Sequence, residues 1–242
     1  MSSFSDFQNI LPDPNNTIGS AGQSVGGGTG PGFASVKLSS ENKVAKSQTN
    51  SGRLIARAIA YHSWKVNISY NPLTRTEFEP VYSFLLHRRG SINPFFVSLP
   101  QYRLPQNSTF ATYINTHEFL EAQATGVAGA TQVTLNRGNY TGGSNGYPSP
   151  GDLFNINSSL SSNHKKAYMV TRVETDSTYT GSAPASGSAR IHFTPGLQKA
   201  ITSGDDFVFK NPLIKVVARD TQEYSLNTNN LYSFSLNLEE VQ

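Results

Sequence analysis

The sequence predicts a mainly β protein: a β-sandwich or barrel sheet with one short flanking helix, plus a small inserted β-barrel. Three observations carry this. First, two segments alternate cleanly. Trp64, Val66, Ile68 and Tyr70 point one way against Lys65, Asn67 and Ser69, and Tyr232, Phe234, Leu236 and Leu238 oppose Ser233, Ser235, Asn237 and Glu239. A period of two marks a strand with one buried face. Second, between these segments lie short apolar runs separated by turns, at the spacing of a small barrel. Third, only 14% of residues are charged, with 20 Gly and 13 Pro, against roughly 25% charged in an average domain. The polar surface is therefore built mostly from Ser, Thr, Asn and Gln, and such a surface carries less charge repulsion against self-association.

Residues 1–32 read as an arm. Leu11-Pro12-Asp13-Pro14-Asn15 is a turn, and Gly26 to Gly32 is glycine punctuation. So polar an arm is either disordered or ordered only on a neighbour. The glycines are not a phosphate loop, because no Gly-Lys-Ser/Thr follows and no apolar strand precedes them. Phe33, Val36 and Leu38 begin ordered structure. Residues 39–53 form a long polar segment, and 54–61 read as a strand with Ile55, Arg57, Ile59 and Tyr61 on one face. After the strand 64–70, Asn71-Pro72 marks a stop.

A helix follows. Thr74-x-x-Glu77 and Thr76-x-x-Glu79 are alternative capping boxes, and Pro80, tolerated near a helix start, favours the second cap or a loose first turn. Phe78, Val81, Tyr82 and Leu85 recur at the spacing of one buried face. Arg88 and Arg89 suit the last turn and Gly90 the stop. Phe95 to Leu99 is a further strand, and 101–117 has no clear period and reads as a linker. Short strands are expected at 152–156, 166–173, 189–193, 206–209 and 213–218. The strong strands at 64–70 and 232–239 are assigned to one sheet. The expected organisation is an arm 1–32, a first domain 33–117 completed by 206–242, and a barrel module 118–205 between its halves.

The chemistry-bearing motifs are missing. There is no cysteine, so disulfides and thiolate metal sites are excluded. The N-terminus has no basic region leading into an apolar run, and no apolar run approaches the roughly 20 residues of a membrane span. Net charge is +3 with a pI near 9.0. It is spread along the sequence, with dense pairs at Arg88-Arg89 and Lys165-Lys166, whereas nucleic-acid grooves show clustered Lys and Arg. His62, His87, His117, His164 and His192 have no metal-ligand spacing. His192 sits between Ile191 and Phe193 and faces away from their core, while His62 shares the parity of Trp64. No Gly-x-Ser-x-Gly elbow and no calcium loop occur. Glu77 and Glu79 are explained as helix-start residues. No catalytic, cofactor or metal site is assigned.

The order of elements resembles a known family. The stretch SWKVNISYNPLTRTEFEPVYSFLLHRRGSINPFFVSLP resembles the central part of tail-tube-fold proteins at the distal end of bacteriophage tails. In that family a tryptophan-led strand precedes an L-T-x-x-E helix, a glycine and an F-x-V-x-L-P strand. SPGDLFNI, KAYMVTRV, RIHFTPGLQKAI and NPLIKVVA resemble the small barrel inserted in some members, and LYSFSLNLEEV resembles their final sheet strand. The resemblance spans roughly residues 33–242. It implies a structural virion protein of the phage tail, assembled in the host bacterial cytoplasm, without cofactor or catalysis. It also implies a homohexameric ring joining the tail tube protein to baseplate or hub proteins, or to the receptor-binding apparatus, with DNA passing through the lumen without specific binding and no membrane involved. The inserted module would bind other baseplate proteins. On this reading 39–53 reaches onto a neighbouring copy, with Lys43, Lys46 and Arg53 as its charges. Two alternatives stand beside it: a carbohydrate-binding or tail-fibre-associated module using Tyr140 and Tyr147 in the loop 139–151, and a neck or tail-completion protein. A polysaccharide-degrading enzyme would need a carboxylate pair that spacing alone does not reveal.

Overall fold

The structure, a computed structural model, describes residues 10–13, 30–117, 119–136, 146–157, 164, 166–175, 188–219 and 223–241, and at 58–61 the main chain alone. The elements in chain order are β1 (Phe33–Gln48), β2 (Leu54–Tyr70), α1 (Arg75–Arg88), β3 (Phe95–Ser98), α2 (Ser108–His117), β4 (Phe119–Ala122), β5 (Gln132–Asn136), β6 (Leu153–Asn157), β7 (Ala167–Glu174), β8 (Ala189–Thr194), β9 (Asp206–Val208), β10 (Leu213–Ala218), β11 (Tyr224–Leu226) and β12 (Tyr232–Glu240). The protein is mainly β, as the sequence predicts, and contains a closed six-stranded barrel and a further six-stranded sheet. The chain divides into two compact units, residues 1–97 with 215–241 and residues 98–214.

The first unit is built on the sheet β1-β2-β12-β10-β3, with β11 paired to β12. The alternating segments pair directly: Val66 faces Leu238, and Ile68 faces Leu236. The same parity that buries Trp64, Val66, Ile68, Phe234, Leu236 and Leu238 turns Asn67, Ser233, Ser235 and Asn237 to solvent. Helix α1 covers the apolar face. Phe78 stacks on Tyr232 at 4.4 Å between ring centroids, Phe84 meets Phe95 edge-on at 5.5 Å, and Val81 and Leu85 are fully enclosed.

Of the two capping boxes the helix uses the first. Thr74 is the N-cap, and the Glu77 carboxylate accepts from the Thr74 N–H at 2.9 Å and its hydroxyl at 2.7 Å. These bonds hold Glu77 below the usual carboxylate range. Pro80 therefore lies inside the helix. It forfeits one main-chain bond, and closing this box together with burying Phe78 offsets that loss. At the far end Arg89 takes the left-handed conformation at φ 54° and Gly90 follows at φ 64°, so the stop uses both residues.

The polar segment 39–53 is mostly strand, with residues 39–48 belonging to β1. One further expectation is corrected. Within 1–32, residues 10–13 are not a free arm: Ile10 bridges Phe96 on the outer edge of β3, and Leu11 is fully buried.

The second unit is the barrel β4-β5-β8-β7-β6-β9, closed by β9 pairing with both β4 and β6. Its centre is Phe154, whose ring lies 5.3–5.5 Å from those of Tyr168, Phe193, Phe207 and Phe209. The segment 101–117, which lacks a readable period, carries α2. Asn107 caps it by accepting from Thr109 and Phe110 N–H groups at 3.0 and 3.2 Å, and Phe110 and Ile114 join the barrel core. His164 is buried, with its Nε2 2.6 Å from the Tyr168 hydroxyl, which also accepts from the Gln198 N–H at 2.9 Å. Burial, helped by the nearby Lys199 charge, pushes His164 down to about 4.

Three outcomes follow from these contacts. Phe78→Ala and Phe154→Ala should each cost about 3–5 kcal/mol in denaturant unfolding, through lost burial and an unfilled cavity. Thr74→Ala should cost about 1 kcal/mol, the usual worth of an N-cap. The unfolded chain takes up a proton on His164 near 6.5 while the folded one resists until about 4. Stability is therefore full above pH 6.5 and falls as pH drops toward 4. His164→Gln, neutral throughout, should flatten this part of the stability–pH curve.

Candidate functional site

The most exposed ordered part of the first unit is the outer half of the β1–β2 hairpin. From Ser35↔Ser69 to Asn42↔His62 the two strands stay in one register, and β12 pairs with β2 over residues 65–69. Then the register breaks: the next pair is Val44↔Ala58, so Lys43 stands opposite three residues, 59–61. Such a bulge bends and twists a strand pair. Beyond it, 44–48 and 54–58 pair with each other and, among the described residues, with no third strand. The tip follows from its sequence. Gly52 N–H donates to the Thr49 carbonyl at 2.8 Å, and Gly52 has φ +82°. The positive φ at the end of this tight turn is what calls for glycine.

The root of this ribbon is fixed and its shaft is bare. At the root, Glu240, itself buried, accepts from the Trp64 N–H at 3.1 Å, His62 Nε2 lies 3.0 Å from Ser40 Oγ, and the His62 and Trp64 rings meet edge-on at 4.7 Å. Glu240 is thus a structural anchor, and His62 is the buried histidine its parity predicts. On the shaft, Val44, Leu54 and Ile55 are 40%, 62% and 54% exposed. Pairing places Val44, Lys46, Gln48, Leu54 and Ala56 on one face and Ala45, Ser47, Ile55 and Arg57 on the other. A two-stranded ribbon without a covering layer is marginal in water, so this one stands ready to gain from a partner.

The charges that the sequence marks out in 39–53 share this ribbon. Lys43, Lys46 and Arg53 all sit on the exposed ribbon, and Arg57 joins them. Residues 42–58 contain these four cations and no carboxylate, which leaves 15 Lys and Arg against 16 Asp and Glu in the rest of the chain. The net positive charge therefore resides in the ribbon and is not spread evenly. Arg57 escapes sequence reasoning because its strand reads as apolar, and the lack of any carboxylate between 42 and 58 is the signal that could find it. Tyr147 is half-buried, and Tyr140 lies outside the described residues.

The solvent face of the sheet is the second feature. Across β1, β2 and β12 it carries the rows Ser35–Ser69–Ser235, Lys37–Asn67–Asn237 and Ser39–Lys65–Glu239. Ser35 and Ser69 hydroxyls bond at 2.7 Å, Lys65 pairs with Glu41 at 2.7 Å, and Arg219 lies 3.6 Å from Glu239. The bond from Lys65 holds Glu41 below the usual carboxylate range. Hydroxyls, amides and locally compensated charges give this face little net field.

In the barrel, the side chain of Glu174 is only 4% exposed and lies 3.0 Å from Arg172, 3.2 Å from His192 and 3.9 Å from Arg190. These groups tie β7 to β8, and His192 faces outward between buried Ile191 and Phe193, as its position in the strand predicts. Among the described residues no group of three His, Asp or Glu is placed to hold a metal, and no helix is long and apolar enough to cross a membrane.

Because the ribbon's cations touch no core, reversing all four (K43E, K46E, R53E, R57E) should move the unfolding free energy by no more than about 0.5 kcal/mol per site, as read by thermal or denaturant melts.

No protein-family model matches the chain. It is 29% identical over 218 residues to the distal tail protein pb9 of Escherichia phage T5, across 87% of this chain and 93% of that protein. The similarity runs along nearly the full length of both, in agreement with the resemblance carried by the order of sequence elements, and it supports a phage distal tail protein.

Proposed function

We propose that the protein is a structural virion component of a tailed phage. Copies assemble into a sixfold ring at the distal end of the tail, linking the tail tube to the baseplate or receptor-binding apparatus. The observation that carries this reading is the bare, cationic β1–β2 ribbon, which presents Lys43, Lys46, Arg53 and Arg57 beside exposed Val44, Leu54 and Ile55. Exposed apolar side chains bordered by polar and charged ones match the apolar centre and polar rim of an interface, and similarity to a distal tail protein gives the setting. A non-enzymatic role fits the same relative.

On this reading the first unit plays the part of a tail-tube-like domain. Its β1 edge, unpaired along its outer side among the described residues, continues into the sheet of the next copy, which consumes an edge that would otherwise aggregate. The hydroxyl- and amide-rich sheet face lines the lumen. Its compensated charges neither hold nor repel a passing polyanion strongly, in keeping with DNA transit without specific binding. The barrel unit is the contact for other baseplate or hub proteins. Assembly takes place in the host cytoplasm before incorporation into the virion.

Negative-stain electron microscopy with light scattering tests this directly. Closed rings with a central hole are expected, and they should weaken as salt rises from about 0.05 to 0.5 M, a range over which the Debye length shrinks to a few ångströms. The four-charge reversal should weaken association at least tenfold, about 1.4 kcal/mol. A monomer at every concentration and salt, or rings indifferent to the charge reversal, would count against the ribbon as the interface.

A further inference from the structure

Residues 10–13 form a short strand added to the outer edge of β3. Ile10 makes a parallel bridge with Phe96, and the Leu11 N–H donates to the Phe96 carbonyl at 2.8 Å. Leu11 is fully buried, and Pro12 and Asp13 are buried beside it. The Gly30 N–H donates to the Asp13 carbonyl at 3.1 Å, and a Cβ at Gly30 would lie 2.6 Å from the Pro12 carbonyl carbon and 2.7 Å from the Asp13 nitrogen. Glycine is therefore what allows this close approach.

The connection is far longer than this arrangement needs. Asp13 and Gly30 are in hydrogen-bond contact, yet sixteen residues, 14–29, join them in sequence, five of them glycine. Two residues suffice to turn a chain back on itself in a hairpin. Sixteen can span up to about 50 Å, a distance suited to reaching an adjacent molecule. The bonds that seat Leu11 on β3 are the same whichever copy supplies the segment, so exchange loses no contact.

We propose that residues 10–13 are an exchange strand: in the assembled protein, the β3 edge of one copy receives residues 10–13 of a second copy. Each copy gives one segment and takes one, a head-to-tail link that closes when the copies form a ring. The proposal rests on the self-assembly argued above, with an interface distinct from the cationic ribbon.

The chain has no cysteine, so the test has no background. Ile10→Cys and Phe96→Cys are made in separate chains, mixed before assembly, and oxidised. Exchange predicts a reducible adduct of twice the chain mass, with mass spectrometry finding the bond between positions 10 and 96. Adding Gly30→Val to both chains should remove the adduct by unseating the segment. Absence of a 10–96 bond between chains overturns the proposal. If light scattering still shows assemblies, the ring reading survives that failure; if the protein is monomeric as well, both fall.

Discussion

Strand β2 has two neighbours near its C-terminal end and one along the rest. Between Lys65 and Ser69 it pairs with both β1 and β12, and its inward side chains Val66 and Ile68 are removed from water. Between Leu54 and Ala58 it has β1 alone. Burial of a large apolar side chain contributes about 1.5–3 kcal/mol, so the inner half stabilises the whole hairpin and the outer half is carried by it. The junction is correspondingly well fastened: Glu240, His62 and Trp64 fill the last buried layer before the bulge, and the Ser40 hydroxyl bonds to His62 from the exposed side. Removing that layer would release the ribbon as well as loosen the sheet.

The helix depends on the same surface. Its propensity is modest and it contains a proline, yet Phe78, Val81 and Leu85 close over the aromatic end of β12. Tertiary packing, more than local preference, fixes it in place. The barrel reaches a similar end by another route. Its strands are short, and closure plus a central stack of phenylalanines around Phe154 replaces the support that a covering helix gives an open sheet.

What is legible in the sequence follows from burial. Half-buried strands alternate, so 64–70 and 232–239 can be read and paired from their residues alone. Strand 39–48 is largely exposed, so nothing forces alternation, and it reads only as a long polar segment. Helix α2 is hidden because it buries Phe110 and Ile114 with Tyr113 only half-buried beside them, too few to display a helical period. Its Asn107 cap also precedes a Ser/Thr-rich turn that suits a loop equally well. Pro80 leaves two starts open in the sequence, a later cap or a loose first turn, and only the closed Thr74–Glu77 box in the fold decides between them. The candidate site is half visible: the cations Lys43, Lys46 and Arg53 can be named from the sequence, but their union with Arg57 requires the pairing of β1 with β2.

Closure of the barrel has a consequence for how copies of this chain find one another. Every described barrel strand has a neighbour on either side, so the unit offers no template to a stray strand. Pairing with it would require breaking its own ladder first. Among the described residues the open strand edges belong to the sheet unit, and these are what newly made chains meet first. The barrel thus acts as an inert passenger in the search, enlarging the molecule without multiplying the wrong ways in which two molecules can stick.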